Sequence, residues 1–156
     1  MRVLADYLEH SKTLKQLFLN DNKLSFEALE SLSESLCINR SLTTLNLGNC
    51  GISDDMLSPL LATLSVNENL ESLHVWGNCI TEEGAELFLE VLKQHNHTLT
   101  DLQIFNNPIE NYEDFLEVAF IQVLKALLRE NATSPADKRN SSIEQEASEV
   151  VEEKVE

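Results

Sequence analysis

The sequence predicts an α/β fold, a curved solenoid with parallel strands on its concave face and helices on its convex face. Four segments of one pattern begin at Leu14, Leu42, Leu70 and Leu99, so the interval between them is almost constant. Each segment alternates apolar and polar residues as a strand does, and about 15 to 20 residues with helical spacing follow it. A constant period of this size is typical of strand–helix units that stack side by side.

The four segments share a consensus that is specific to one class of repeat. They read LKQLFLNDNKL, LTTLNLGNCGI, LESLHVWGNCI and LTDLQIFNNPI in chain order. This pattern resembles the leucine-rich repeat, LxxLxLxxN(x)L, and a period of about 28 residues is similar to the ribonuclease-inhibitor-like subclass. The resemblance implies one strand and one helix in each unit.

Alternation within each strand separates an inward from an outward set of side chains. Parallel strands need a crossover, so the helices are expected on the opposite side of the sheet from the outward set. Because helices are wider than strands, the stack should curve with its strands inside. The inward set that should form the core beneath the sheet is Leu17, Leu19, Leu45, Leu47, Leu73, Val75, Leu102 and Ile104.

Residues 1–13 have the pattern of a partial repeat that begins within its helix, since Leu4 lies one repeat period before Leu32. This helix is either a native N-terminal cap or the end of a repeat in a longer protein. We favour further repeats N-terminal to Met1, because a first strand near residues 16–19 would otherwise present an unpaired edge.

Three helix starts carry local signals. Ser25 and Thr81 each precede a helical pattern, where a hydroxyl oxygen can accept a hydrogen bond from a free backbone N–H. In the second repeat Pro59 fits the first helical position with Ser58 as the cap. A short helix over residues 59–66 is therefore predicted.

The last unit departs from the repeat. A capping helix of about 18 residues is expected at residues 113–130, where it would cover the open end of the solenoid and complete a domain of residues 1–130. Apolar residues surround most of this helix, which indicates either deep burial or a second contact surface. Residues 131–156 are polar and acidic, and we expect this tail to be disordered.

The ninth position of the repeat is predicted to form a structural ladder. It holds Asn22, Asn78 and Asn107, and Cys50 takes the same place in the second repeat. A buried amide there can satisfy backbone groups in the neighbouring turn, where the chain leaves the strand. We assign these residues no catalytic role.

Charge and composition restrict the classes of partner. The formal net charge of −16 disfavours nucleic acid and anionic lipid, whose binding depends on clustered Lys and Arg. No apolar run approaches the roughly 18 residues that span a bilayer, and the N-terminus does not resemble a secretory signal. Three cysteines, an odd number, favour a reducing compartment and a cytoplasmic protein. Four glycosylation sequons, at Asn39, Asn96, Asn131 and Asn140, are interpreted as chance matches.

The outward residues of the strands should form one continuous concave surface. The large aromatic residues among them are predicted to anchor a protein partner, because such residues dominate interface energies. Packing on neighbouring residues or against a missing repeat is the alternative. The predicted protein-binding set is Phe18, Asn20, Asn46, His74, Trp76, Gln103 and Phe105.

No motif for catalysis, for a cofactor or for a metal is present in the sequence. His74 has no second metal ligand at suitable spacing on its own strand. The leading hypothesis is a noncatalytic intracellular scaffold that binds a protein partner. Two alternatives follow from resemblance: a regulator of a small GTPase, similar to the Ran GTPase-activating protein family, and a C-terminal sensor fragment of a nucleotide-binding immune receptor.

Overall fold

The computed structural model describes residues 2–110, 112 and 113. A 3-10 turn at Asp54–Met56 interrupts an otherwise regular order of helices and strands. The predicted capping helix at residues 113–130 and the predicted tail lie outside the described residues, apart from Glu113 at the helix start. The regular elements are α1 Arg2–His10, β1 Gln16–Phe18, α2 Phe26–Ile38, β2 Thr44–Asn46, α3 Ser58–Val66, β3 Ser72–His74, α4 Glu82–Gln94 and β4 Asp101–Gln103.

The four strands form one parallel sheet in the order β1-β2-β3-β4. Leu17 pairs with Leu45, Leu45 with Leu73, and Leu73 with Leu102. The register therefore equals the repeat period, and the predicted fold is confirmed. Over the described residues, no helix has the length and apolar character that crossing a bilayer requires.

The core lies between the sheet and the helices. Leu45 of β2 and Leu73 of β3 are fully buried, as are Leu47 and Val75, which directly follow these two central strands. Leu17, on β1, is only half-buried, because β1 pairs with one neighbour in the described sheet. The helices contribute Leu29, Leu32 and Leu36 of α2 and Ala85, Phe88 and Leu92 of α4 to the core.

Each strand ends in a turn that requires a left-handed residue. Asp21, Asn49, Gly77 and Asn106 have φ values of 62°, 53°, 66° and 56°. Gly adopts this conformation freely, and Asn and Asp tolerate it better than other residues. These positions stand directly before the ninth position of each repeat, so the turn holds the ladder side chains in one orientation relative to the sheet.

The start of α2 agrees with the prediction, since the Ser25 hydroxyl accepts the Ala28 N–H at 3.2 Å. The predicted start of α3 is wrong by one residue. This helix begins at Ser58 with Leu57 as its N-cap, and no side chain caps it. The 3-10 turn before it brings the chain into the helix without a capping hydroxyl.

Thr81 occupies the N-cap of α4 but makes no capping hydrogen bond with its side chain, contrary to the prediction. Instead, its hydroxyl donates to one carboxylate oxygen of Asp54 at 2.6 Å, and its backbone N–H donates to the other at 3.0 Å. A carboxylate is a stronger acceptor than a hydroxyl, and negative charge is favoured at a helix N-terminus. Asp54, from the preceding repeat, therefore ties the start of α4 to that repeat.

Candidate protein-binding face

Three rows of outward side chains cross the concave face of the sheet. Backbone pairing continues past β3 and β4, because the Gly77 N–H donates to the Phe105 carbonyl at 3.0 Å. The third row is therefore held as firmly as the first two. The rows are Gln16, Thr44, Ser72 and Asp101, then Phe18, Asn46, His74 and Gln103, and then Asn20, Gly48, Trp76 and Phe105.

Two aromatic residues of the third row stack on each other. The ring centroids of Trp76 and Phe105 are 6.0 Å apart and the planes differ by 6°. The indole also lies over Gly48, since a Cβ placed on Gly48 would be 2.1 Å from Cε2 of Trp76. We call Trp76 and Phe105 the aromatic platform. Glycine at position 48 makes this arrangement possible because any side chain would occupy the volume of the indole.

The platform retains exposed apolar surface. Phe105 is 40% exposed, and Phe18, on β1, is 57% exposed. Trp76 is half-buried because it packs on Gly48 and Phe105, so it supports the platform as well as presenting a face to solvent. Both interpretations of the aromatic residues thus apply to Trp76, whereas Phe18 and Phe105 offer larger exposed fractions.

A polar cluster lies beside the platform, on β3 and β4. One carboxylate oxygen of Asp101, Oδ2, accepts from the Ser72 hydroxyl at 2.7 Å, His74 Nε2 at 3.0 Å and the Gln103 amide at 3.3 Å. We call these four residues the carboxylate cluster. Within the described part of the chain, the second oxygen, Oδ1, accepts no hydrogen bond, and the Asp101 side chain is 45% exposed.

The carboxylate cluster contains Ser, His and Asp but does not have the geometry of a catalytic triad. In a triad the carboxylate and the serine bind opposite nitrogens of the imidazole. Here Ser72 and Asp101 both contact Nε2 of His74, at 2.9 and 3.0 Å. The hydroxyl also donates directly to the carboxylate, so the imidazole does not activate it as a nucleophile.

The carboxylate cluster was not predicted from the sequence, because its members lie on two different strands. His74 lacks a carboxylate partner on β3, but the sheet register places Asp101 of β4 beside Ser72. The signal was present in the repeat alignment, because Asp101 follows Leu99 by two positions just as Ser72 follows Leu70.

Two predicted contact residues are less available than the others. Asn46 is only 9% exposed, and its carboxamide oxygen accepts the Gly48 N–H at 2.9 Å. It therefore shapes the turn beneath the indole and offers little surface to a partner, contrary to the prediction. The Asn20 amide donates to the Asp21 carboxylate at 2.6 Å in the exposed turn after β1.

Asn78 joins the second and third repeats. Its carboxamide oxygen accepts the backbone N–H groups of Cys50 and Ile52 at 2.9 and 3.0 Å. Its amide group donates to the carbonyls of Leu47 and Val75 at 2.9 and 2.8 Å. One buried side chain thus satisfies four backbone groups in two adjacent turns.

The next repeat uses the same contacts. The oxygen of Asn107 accepts the Ile80 N–H at 3.0 Å, and its amide donates to the carbonyls of Val75 and Ile104 at 2.9 and 2.8 Å. Asn107 therefore connects the third repeat to the fourth.

At the N-terminal end the ladder is weaker. The Cys50 thiol donates to the Leu19 carbonyl at 3.2 Å. Asn22 is exposed, and its amide donates only within its own turn, to the carbonyls of Leu19 and Asn20 at 3.0 and 3.2 Å. Asn22 thus has the ladder position but makes no contact between repeats.

A second asparagine ladder, which was not predicted, lies before the strands, at the opposite strand ends from the first ladder. Asn39, Asn67 and Asn96 follow the ends of α2, α3 and α4 and are 1%, 3% and 4% exposed. Their recurrence three positions before Leu42, Leu70 and Leu99 was the available signal. Each amide donates to a backbone carbonyl near the end of the helix one repeat earlier; the acceptors are Leu8, Leu36 and Leu64, at 2.6, 2.7 and 2.7 Å. Each carboxamide oxygen accepts a backbone N–H just before the next strand; the donors are Leu42, Leu70 and Leu99, each at 2.8 Å.

This ladder also explains two of the sequons. Asn39 and Asn96 are buried with their amides occupied by backbone carbonyls, so both match the sequon pattern for a structural reason. Asn131 and Asn140 lie outside the described residues.

The three thiols are free and differ in environment. Cys79 is exposed, Cys37 is half-buried and Cys50 is buried. Burial raises the pKa of the Cys50 thiol, with a smaller contribution in the same direction from the nearby Asp21 carboxylate. Cys50 is therefore protonated at neutral pH and is shielded from reagents that attack the thiolate.

We expect the folded protein to react with iodoacetamide first at Cys79, more slowly at Cys37 and, at Cys50, only after unfolding. The order follows exposure, together with the raised pKa of Cys50. Peptide mass spectrometry at timed intervals, with and without urea, measures it. Labelling of Cys50 in native buffer as fast as Cys79 would contradict this placement.

Among residues 2–110, 112 and 113, no group of three His, Cys, Asp or Glu side chains is arranged to hold a metal ion.

The parallel sheet, the convex helices and the asparagine ladder define a leucine-rich-repeat protein of the ribonuclease-inhibitor-like subclass, which confirms the predicted resemblance. The sequence matches the PRAME C-terminal domain over residues 5–135, and the chain belongs to that family.

Relatives share the repeat class at moderate identity. The chain is 30% identical over 99 residues to human NACHT, LRR and PYD domains-containing protein 13, covering 64% of this chain and 10% of the relative. It is 30% identical over 112 residues to ribonuclease inhibitor of Sus scrofa, covering 70% of this chain and 25% of that relative. The chain thus spans about a tenth to a quarter of the length of these relatives.

Solved structures show the same fold. The leiomodin-1 actin-binding site 2 matches with a TM-score of 0.68 at 16% identity, over 90% of this chain and 94% of that one. The tropomodulin C-terminal domain of Caenorhabditis elegans matches with a TM-score of 0.58 at 18% identity, over 84% of this chain and 98% of that one. At these identities the likeness concerns the fold alone.

Proposed function

We propose that this chain is a noncatalytic protein-interaction scaffold that binds a protein partner through its concave face. The observation that carries the proposal is the aromatic platform, held flat over Gly48 on a sheet that two asparagine ladders brace. Large aromatic side chains on a preorganised surface bind at low entropic cost, because little has to be ordered when the partner arrives.

The chemistry of the concave face favours a protein over other partners. Apart from the aromatic residues, its outward side chains are amides, hydroxyls, one imidazole and one carboxylate, and no Lys or Arg is among them. A chain with a formal net charge of −16 and no cation on this face repels phosphate groups. Interfaces between proteins combine such a polar surround with an aromatic centre.

The relatives support the same proposal. Ribonuclease inhibitor and the actin-binding site of leiomodin-1 are both named for protein ligands, and both use this repeat class. Three free thiols suit a reducing compartment, so we place the scaffold in the cytoplasm.

The test of this proposal is affinity capture from the source cells with quantitative mass spectrometry. We expect the double substitution Phe18→Ala and Phe105→Ala to lose partners that the wild-type chain captures, with little change in thermal midpoint, because both side chains are substantially exposed. Leu87→Ala, on α4 of the convex face and 42% exposed, is the matched control and should retain them. Equal capture by wild type and double variant would refute the proposal.

One alternative has an observation in its favour. The match to a NACHT, LRR and PYD domains-containing protein supports a sensor role within a nucleotide-binding immune receptor. An ATPase domain in the same genomic reading frame would support this role, and a frame that lacks one would oppose it. The role of a small-GTPase regulator remains a prediction, which a single-turnover GTP hydrolysis assay tests.

A further inference from the structure

The carboxylate cluster gives the concave face a charged contact of defined direction. Three donors hold Oδ2 of Asp101, while Oδ1 accepts no hydrogen bond within the described residues. We propose that this face binds a protein segment that presents a Lys or Arg side chain to Oδ1 of Asp101 and an apolar side chain to the aromatic platform. The inference rests on the proposed scaffold function and specifies the partner's chemistry.

The Asp101 carboxylate is preorganised for such a contact. A carboxylate on an exposed strand normally rotates freely, and binding a cation then costs side-chain entropy. Ser72, His74 and Gln103 already restrain Asp101 through three contacts to Oδ2, so this entropy is lost on folding and not on binding. A restrained carboxylate whose Oδ1 accepts no hydrogen bond from the described residues is well suited to a charge-assisted hydrogen bond from an ammonium or guanidinium group.

Among the described residues, no Lys or Arg forms an ion pair with this carboxylate. His74 Nε2 lies 3.0 Å from Oδ2, but an imidazole is cationic only when protonated. None of the twelve outward positions of the four repeats is Lys or Arg. Because the whole chain has a formal net charge of −16, its field attracts a basic segment and speeds its approach.

The spacing of the two contact residues fits a single extended partner segment. Asp101 and Phe105 lie on the same face, four residues apart, and the backbone of this segment is paired along its length with that of the preceding repeat. At about 3.3 Å per residue, their Cα atoms are roughly 13 Å apart. In an extended partner segment, side chains four residues apart face the same way at the same distance. A basic residue and an apolar residue at positions i and i+4, in either direction, would reach both contacts.

A displayed library of random twelve-residue peptides, selected on the full chain, tests this inference. We expect the enriched peptides to share a Lys or Arg four residues from an apolar residue. Asp101→Asn keeps the shape of the side chain and an oxygen for Ser72 and His74 but removes the charge, and it should weaken binding by about tenfold or more. Glu86→Gln, on the convex helix α4, removes the same charge elsewhere and should leave affinity unchanged.

A charge exchange sharpens the test. Asp101→Lys should abolish binding of a selected peptide. Replacing the basic residue of that peptide by Glu should restore binding to the Asp101→Lys variant. Enriched peptides without a basic residue, equal affinity for Asp101→Asn, or an empty selection would overturn the inference. If selected peptides bind Asp101→Asn with equal affinity but lose affinity for Phe105→Ala, the inference fails and the scaffold proposal stands. Peptides that lose affinity for neither Asp101→Asn nor Phe105→Ala would overturn both proposals.

Discussion

Replacing Asn78 by Ala is expected to lower the free energy of unfolding by about 4 kcal/mol. The substitution leaves the N–H groups of Cys50 and Ile52 and the carbonyl of Leu47 without the Asn78 partner, whereas the Val75 carbonyl keeps the Asn107 amide. Each buried polar group left unpaired costs about 1–3 kcal/mol, so three such groups account for a loss of about 4 kcal/mol. Domains are stable by about 5–15 kcal/mol, so the loss is a large share of the total.

Asn22→Ala is the matched control for this prediction. Asn22 holds the same position of the repeat but is exposed, and its amide donates only to Leu19 and Asn20 in its own turn. Its loss should cost about 1 kcal/mol or less, because solvent replaces the lost contacts. Urea unfolding of both variants measures the difference, and equal losses would show that the contact between repeats contributes nothing.

Asn78→Cys tests the same position with the residue that the second repeat uses. A thiol can donate weakly to a carbonyl, as Cys50 does to Leu19 at 3.2 Å, but it is a poor acceptor for backbone N–H groups. We expect the free energy of unfolding of Asn78→Cys to lie between that of the wild type and that of Asn78→Ala. A thiol as good as the amide would contradict the account of the four hydrogen bonds.

The fold was predictable because the repeat period also sets the strand register. Leu17, Leu45, Leu73 and Leu102 align in the sheet at the intervals at which they align in the sequence. A shift by one residue would turn every inward leucine to the solvent, so only one register buries them all. The left-handed turns reinforce this choice, since Asp, Asn or Gly stands before each ladder position.

The concave site was predictable only in outline. Alternation along the strands identified which side chains face outward, but not how they lean once neighbours are present. Asp101 tilts towards Ser72 and His74 because their hydrogen atoms offer partners across the strand gap. Trp76 lies over Gly48 because that glycine leaves an open volume.

The end of a helix shows the same limit. A hydroxyl before α4 predicted a local cap at Thr81, but the Thr81 hydroxyl and N–H instead donate to Asp54 of the preceding repeat. A local rule considers only the nearest side chains, whereas stacking brings the previous repeat equally close. At Thr81 a contact between repeats therefore takes the place of the local cap.

Phe88→Ala is expected to lower the free energy of unfolding by about 3–5 kcal/mol. Phe88 is fully buried and is the largest such side chain among the described residues. Its removal loses the transfer free energy of the ring and leaves a cavity between α4 and the sheet that rigid neighbouring leucines fill poorly. Leu87→Ala, at the adjacent position but 42% exposed, should cost about 1 kcal/mol or less, since little apolar area returns to water.

Phe88→Ala also separates the stability of the fold from binding on the concave face. Phe88 is buried and makes no outward contact, so peptides selected on the folded chain should bind Phe88→Ala with unchanged affinity at temperatures where it remains folded. Above its lowered thermal midpoint, binding should fall in proportion to the unfolded fraction. Loss of affinity in the fully folded variant would show that α4 controls the conformation of the aromatic platform, which would contradict a rigid face braced by its own ladders.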